Sequence, residues 1–138
     1  MGVVIFCDID GVLFKHHGEG ASHQWTVEPT LLPNVIKLFD AWEKAGHYII
    51  LTTSRKDSHR EFLEAMLLDM GLFWDQLITG LPHGRRVLLN DMKADGTPGA
   101  HAVNLPRNEG LINVSCRSSL GRGRSESPTE QSAFTDCG

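Results

Sequence analysis

The sequence has few cysteines, and their arrangement is informative. The three of them, Cys7, Cys116 and Cys137, are odd in number, far apart, and include no Cys-x-x-Cys pair. This spacing argues against a disulfide framework and against a structural zinc site, and it favours a reducing compartment. We therefore expect a cytoplasmic protein.

The sequence also lacks the signals of membrane and nucleic-acid proteins. No apolar run approaches the roughly 18 residues of a membrane span, and the first residues lack the basic end of a signal peptide. The net charge is −4 at pH 7, and Lys and Arg form no basic block. We therefore expect neither a membrane nor a nucleic acid as a partner. With 138 residues, 41% of them hydrophobic, the chain suits one globular domain.

The last part of the chain has almost no apolar residues. Residues 116–138 are rich in Ser, Gly, Arg, Glu and Thr. Such a segment cannot bury enough apolar surface to offset the entropy that it would lose on ordering. The sequence therefore predicts a folded domain over residues 1–115 and a disordered tail over 116–138.

The most informative stretch is Val3–Phe14, where an apolar run leads directly into two acids and a glycine. Such a run is typical of a strand that is buried on both faces of a parallel sheet. Asp8 and Asp10 are two positions apart, so their side chains point to the same side of an extended chain. Gly11 then allows a sharp turn. Acids at the carboxyl end of a strand lie where open α/β sheets bind ligands.

The Asp-Ile-Asp-Gly-Val sequence that begins at Asp8 resembles the first motif of the haloacid dehalogenase (HAD) superfamily, most of whose members transfer phosphoryl groups. The resemblance implies that Asp8 is the nucleophile that accepts the phosphoryl group and that Asp10 is the general acid and base. The residue types suit this chemistry, because a carboxylate can form an aspartyl-phosphate and a second carboxyl can move protons. The alternative is a structural Asp-x-Asp-Gly turn after a core strand.

Hydrophobic periodicity predicts two helices and several further strands. The helices are expected at 33–45 and, from a capping box at Ser58, at 58–70; the strands are expected at 47–53, 76–79, 86–91 and 101–105. The resemblance implies a three-layer Rossmann-like parallel sheet, HAD-like, with strand order 3-2-1-4-5. Residues 15–33 are too few for a large cap domain, so the capless class is implied. The histidines of this loop are interpreted as polar loop residues and not as metal ligands.

The second predicted strand ends in Thr-Thr-Ser-Arg. This ending resembles the second HAD motif, a Ser or Thr at a strand tip. The resemblance implies that Thr53 binds a phosphate oxygen, with Thr52 in its place if the register shifts by one. Ser54 belongs to the same predicted phosphate site. The alternative is a threonine that merely ends a strand.

Asp91 and Asp95 have the Asp-x-x-x-Asp spacing of the fourth HAD motif, after the predicted strand 86–91. The resemblance implies a Mg²⁺ site formed by Asp8, the backbone carbonyl of Asp10 and Asp91. Asp95 is either a ligand through water or a turn residue.

The third HAD motif, a Lys or Arg before the fourth strand, has no clear counterpart. Only residues 80–85 separate the third and fourth predicted strands, whereas parallel strands normally need a crossover of a dozen or more residues. Arg85 or Arg86 is a candidate for the charge that neutralises the phosphoryl oxygens, and Lys93 is a rival. Each could equally be a solvated loop charge.

Together the motifs predict a Mg²⁺-dependent phosphomonoester hydrolase that acts through an aspartyl-phosphate. Its substrate is expected to be a small phosphorylated metabolite such as a sugar phosphate or a nucleotide, and homo-oligomer formation is left open. One alternative is a non-catalytic HAD-fold binding module. A receiver-like signalling domain fits less well, because the third strand ends at Thr79 without an acceptor Asp. A DxD glycosyltransferase would need more room for a nucleotide sugar.

Overall fold

A computed structural model describes residues 2–17, 29–117 and 133–136 of the chain. Within these residues the main sheet has three parallel strands in the order β1-β2-β3, and two α-helices occupy the connections between them. The elements are β1 (Val4–Asp8), α1 (Val35–Ala45), β2 (Tyr48–Thr52), a 3₁₀ turn (Asp57–His59), α2 (Arg60–Asp69) and β3 (Gln76–Ile78). The predicted α/β class with a parallel sheet is therefore confirmed.

The hydrophobic core lies between the sheet and the two helices. Right-handed connections that run in one direction across a parallel sheet place their helices on the same face. On this face the strand register aligns Cys7, Leu51 and Leu77, each of them at most 6% exposed. The helices contribute Leu38, Phe39, Trp42, Leu63 and Leu67 to the same core.

Both helices fall inside the predicted ranges, 33–45 and 58–70. The capping box predicted at Ser58 does not form, because the 3₁₀ turn occupies that position and no side chain caps the start of α2. The packing of the two helices against the sheet outweighs the loss of this local signal, in keeping with the general source of helix stability in proteins.

The opposite face of the sheet is open at β1. Val4 and Phe6 point to this face, and each is 57% exposed. Tyr48, which is paired with Val4, is 40% exposed. No described element covers these side chains, so the described residues form two layers. The predicted third layer stays a prediction.

The fourth and fifth predicted strands, 86–91 and 101–105, are wrong for the structure as described. Residues 81–105 form no strand and are almost entirely exposed; Val87 is 81% exposed and Leu89 is 90% exposed. The strand order agrees with 3-2-1-4-5 only for its first three members, and the outer edge of β1 has no strand partner among the described residues. The apolar sequence favours a strand, but strand formation depends on a packed partner.

A separate pair of strands, β4 (Val114–Arg117) and β5 (Ala133–Asp136), forms a two-stranded parallel sheet. The predicted tail, 116–138, falls mostly outside the described residues, so its disorder stays a prediction. None of the helices in the described part of the chain is long and apolar enough to span a membrane.

Candidate active site

The first two HAD-like motifs meet at the carboxyl ends of β1 and β2. Asp8 is the last residue of β1 and is paired in register with Thr52, the last residue of β2. Asp10 follows after one buried residue, and Gly11 then turns the chain with φ of 87°. The Gly11 N–H donates a 2.7 Å hydrogen bond to the carbonyl of Phe14, which closes the turn. The two acids are therefore presented at one edge of the sheet.

Asp8 is exposed and makes one side-chain hydrogen bond. The Thr52 hydroxyl donates to its Oδ1 at 2.7 Å. In the described part of the chain no other donor is bonded to the Asp8 carboxylate, so Oδ2 can contact a ligand. A carboxylate that is fixed on one oxygen and open on the other suits a nucleophile.

Asp10 is held much more firmly, by the Arg55 guanidinium. Arg55 Nη2 donates to Oδ1 at 2.7 Å, and Arg55 Nε lies 3.0 Å from Oδ2. The two side chains are 6% and 16% exposed. The Thr53 hydroxyl also donates to Asp10 Oδ2, at 3.3 Å, and accepts the Arg55 N–H at 3.1 Å. Charge-assisted bonds of this kind fix the orientation of the Asp10 carboxylate.

Thr52 and Thr53 therefore contact different acids, and neither has to replace the other. Sequence reasoning considered them as alternatives for one role, and it missed Arg55 as a site residue. The available signal was the position of Arg55, two residues after Thr53, where the chain can turn back toward the strand tip.

The end of β3 supports the loop that carries Thr53 and Arg55. The Thr53 N–H donates to the Ile78 carbonyl at 3.0 Å, and the Gly80 N–H donates to the Arg55 carbonyl at 2.6 Å. Thr79 donates its hydroxyl to Asp57, just after this loop. The loop is thus bonded on both sides and holds Arg55 in place beneath Asp10.

The remaining predicted phosphate-binding residues are not joined to Asp8 by any described contact. Arg86 donates through Nη1 to the carbonyls of Pro82, at 3.1 Å, and Gly84, at 3.0 Å, within its own loop. Arg85 is exposed, and Ser54 is partly buried beside Thr53. Arg86 is therefore held by hydrogen bonds within its own loop and not by a contact with Asp8.

The fourth-motif residues lie in the exposed coil. Asp91 and Lys93 are exposed there. Asp95 accepts hydrogen bonds from the Thr97 hydroxyl at 2.7 Å and the Thr97 N–H at 3.0 Å, and these bonds hold the pKa of Asp95 below its ordinary value. Asp95 is thus a turn residue in this structure, which is one of the two alternatives left open by the sequence.

A segment near the end of the predicted folded domain borders the site. Asn108 donates its N–H to the Gly11 carbonyl at 2.9 Å. Its side chain accepts the His16 N–H at 2.6 Å and donates to the His16 carbonyl at 3.1 Å. Residues 106–111, the Asn108 segment, are therefore bonded to both sides of the turn after the acids.

The oxygen atoms near Asp8 suit a hard cation in part. The open Asp8 oxygen and the Asp10 backbone carbonyl are the donor types that Mg²⁺ prefers, completed by water and phosphate oxygens. The Asp10 side chain is bonded to Arg55 and Thr53 instead. Among the described residues, no group of three or more His, Cys, Asp and Glu side chains could hold a metal ion. Asp91 is not part of such a group.

The comparisons with known proteins leave the family open. No protein-family model matches the chain, and no curated protein matches it. A solved chain described as "Structure of Pnkp1/Rnl/Hen1 complex" is similar at 25% identity with a TM-score of 0.47. The match covers 56% of this chain and 27% of that chain, so the present chain spans about a quarter of its length. This degree of similarity assigns neither a family nor a function.

Proposed function

We propose that this protein is a Mg²⁺-dependent phosphomonoester hydrolase of the HAD type that acts through an aspartyl-phosphate. The observation that carries the proposal is the contrast between the two acids at the tip of β1. Asp8 is exposed with one open oxygen, whereas Asp10 is oriented by Arg55 and Thr53. Catalysis through a covalent intermediate needs one carboxylate that attacks and a second that moves protons.

In the first step, the open oxygen of Asp8 attacks phosphorus as the bond from phosphorus to the leaving oxygen breaks. The Asp10 carboxyl gives a proton to the leaving oxygen. In the second step, Asp10 takes a proton from water, which attacks the aspartyl-phosphate and releases inorganic phosphate. The bonds from Arg55 and Thr53 fix the orientation of the Asp10 carboxyl group in both steps.

Thr53 and Ser54 have different roles in this proposal. The Thr53 hydroxyl is bonded to Asp10 and to the Arg55 N–H, and Thr53 is only 4% exposed. We therefore assign Thr53 to positioning Asp10. Ser54 is more accessible, so its hydroxyl is the better candidate for a hydrogen bond to a phosphoryl oxygen.

Mg²⁺ would be held by the Asp8 carboxylate and the Asp10 carbonyl, with Asp91 as the further proposed ligand, and when bound it would offset the charge of the phosphoryl group. Asp91 reaches this site only if residues 86–91 pair with the outer edge of β1, as the order 3-2-1-4-5 requires.

Exposed apolar surface on both partners supports such pairing. Phe6 of β1 is 57% exposed, and Val87 and Leu89 are more than 80% exposed. Each large apolar side chain gains ~1.5–3 kcal/mol when it is fully buried. The proposal therefore includes a third layer, and it requires residues 86–91, which form no strand in this structure, to pair with β1 when the metal site forms.

The test is phosphate release from p-nitrophenyl phosphate with and without Mg²⁺. We expect metal-dependent turnover in the wild type and its loss in Asp8→Asn. Asp69→Asn removes an exposed acid at the end of α2 and serves as the matched control, with unchanged turnover. Equal turnover in Asp8→Asn and the wild type would rule out Asp8 as the nucleophile.

A non-catalytic HAD-fold binding module is the second candidate, because Arg85 and Arg86 lie in an exposed loop and no described contact brings them to Asp8. If p-nitrophenyl phosphate is not hydrolysed, binding of beryllofluoride at Asp8 separates the two candidates. Binding that is lost in Asp8→Asn supports a selective phosphatase, and no binding supports the module. The small phosphorylated substrate and the cytoplasmic location stay predictions, and homo-oligomer formation stays open.

A further inference from the structure

Arg107 lies beside the turn that follows the two acids. Its Cγ is 3.4 Å from the position that a Cβ on Gly11 would occupy. His16 Cβ is 3.7 Å from the same point. Because Gly11 directly follows Asp10, the Arg107 side chain borders the loop at which a phosphoryl group on Asp8 would sit.

The backbone that carries Arg107 is fixed by its neighbours. Asn108 adopts φ of 63° and makes three hydrogen bonds, one to the Gly11 carbonyl and two to the His16 backbone. Further along the Asn108 segment, the Leu111 N–H donates to the Pro33 carbonyl at 3.0 Å. The position of Arg107 next to Gly11 is therefore built into the fold.

The charge of Arg107 is not neutralised within the described part of the chain. Arg107 is exposed, and the ion pairs found there are Lys44–Asp40, Arg55–Asp10 and Arg60–Glu64. A guanidinium presents a planar fork of N–H donors that matches phosphate oxygens. Arg107 thus combines a free charge, a fixed backbone and a location beside the acids.

We propose that Arg107 binds the phosphoryl oxygens of the substrate, the role for which Arg85, Arg86 and Lys93 were the candidates from sequence. The inference rests on the proposed phosphatase function and deepens it. The Arg107 guanidinium makes no covalent bond; it offsets the negative charge that spreads over the phosphoryl oxygens during transfer.

The experiment compares Arg107→Ala and Arg107→Lys with Lys44→Ala, which removes one exposed positive charge in the last turn of α1, at the opposite end of the helix from the strand tips. We measure kcat and KM for p-nitrophenyl phosphate and the competitive inhibition constant for inorganic phosphate. Arg107→Ala should lower kcat/KM by about 100-fold and weaken inhibition by phosphate, and Arg107→Lys should recover part of both. Thermal unfolding midpoints should stay close to that of the wild type, which excludes a purely structural effect.

The outcomes separate this inference from the function on which it rests. If the wild type turns over and Arg107→Ala behaves like Lys44→Ala, the role of Arg107 is refuted and the phosphatase stands. If the wild type does not hydrolyse p-nitrophenyl phosphate, the binding of inorganic phosphate to the wild type and to Arg107→Ala is measured by titration calorimetry. Binding that Arg107→Ala loses supports the inference, binding that it keeps overturns it, and no wild-type binding overturns both proposals.

Discussion

The ion pair between Arg55 and Asp10 should stabilise the fold as well as orient the site. Its guanidinium and carboxylate are 6% and 16% exposed and are joined by contacts of 2.7 and 3.0 Å. Replacing Arg55 by Ala leaves the Asp10 carboxylate largely buried with only the Thr53 hydroxyl as a described donor. An uncompensated buried charge is costly, so we expect Arg55→Ala to destabilise the protein strongly.

The magnitude follows from the burial of the pair. Removal of one partner of a buried pair costs about 3–5 kcal/mol, and the remaining exposure of Asp10 places this case near the lower end, at about 3 kcal/mol. For a domain of this size, between the small and the large domains for which the relation is known, each kcal/mol corresponds to a shift in Tm of roughly 4 °C. Arg55→Lys keeps the charge but loses the planar fork, so its effect should be intermediate.

The assay is a double-mutant cycle in urea with Arg55→Ala, Asp10→Ala and the double variant. Contacting charges should show a coupling energy of about 1–3 kcal/mol. Lys44→Ala breaks the exposed pair with Asp40 and should leave the unfolding midpoint unchanged. Additive effects of Arg55→Ala and Asp10→Ala would refute the claim that the two residues act as a pair.

Three further predictions concern the supporting structure. Burial raises the pKa of Cys7 to about 12 from 9.0, so the folded state favours the thiol over the thiolate. The stability that comes from this preference is present below pH 9 and is lost between pH 9 and 12. Native Cys7 should therefore resist iodoacetamide at pH 8 until urea is added. Gly110 and Gly71 both have positive φ, but only a Cβ on Gly110 would meet backbone, at 2.4 Å from the Pro33 carbonyl oxygen. In urea unfolding, Gly110→Ala should therefore destabilise the protein by about 1–3 kcal/mol more than Gly71→Ala. Asn108→Ala removes two hydrogen bonds to His16 and should lower the free energy of unfolding by about 2 kcal/mol; an unchanged midpoint would contradict this.

The parts of the fold that could be predicted from the sequence depend on local patterns. The run Val4–Asp8, the helix pattern after Pro33 and the strand before Thr53 each have a periodicity that a short window shows. The two helical crossovers along the chain indicate parallel strands. The order of these strands is implied by the resemblance to the HAD superfamily and by no local pattern. The location of Asp8 and Asp10 at one strand tip follows from the pattern of the run Val4–Asp8.

The parts that could not be predicted depend on contacts between distant residues. Arg55 and Asp10 are 45 positions apart, and His16 and Asn108 are 92 positions apart. No periodicity indicates such a pair, because each partner alone resembles an ordinary loop residue. The strand predicted at 86–91 failed for a related reason, since its apolar sequence defines a preference but not a partner.

This difference bears on how the candidate site is assembled. Asp8 and Thr52 end two adjacent strands joined by one helical crossover, and Asp10 and Arg55 follow them closely in sequence, so β1–β2 pairing brings the four together with support from the end of β3. Asp91 instead follows a six-residue connection that is short for a parallel crossover, and it must reach the far edge of β1. Asp8 and Asp10, the proposed nucleophile and its proton-transfer partner, should therefore take their positions as the core of the fold forms. Recruitment of Asp91, and with it full metal affinity, should be a separate and weaker step, visible as Mg²⁺ binding that Asp91→Asn reduces without loss of thermal stability.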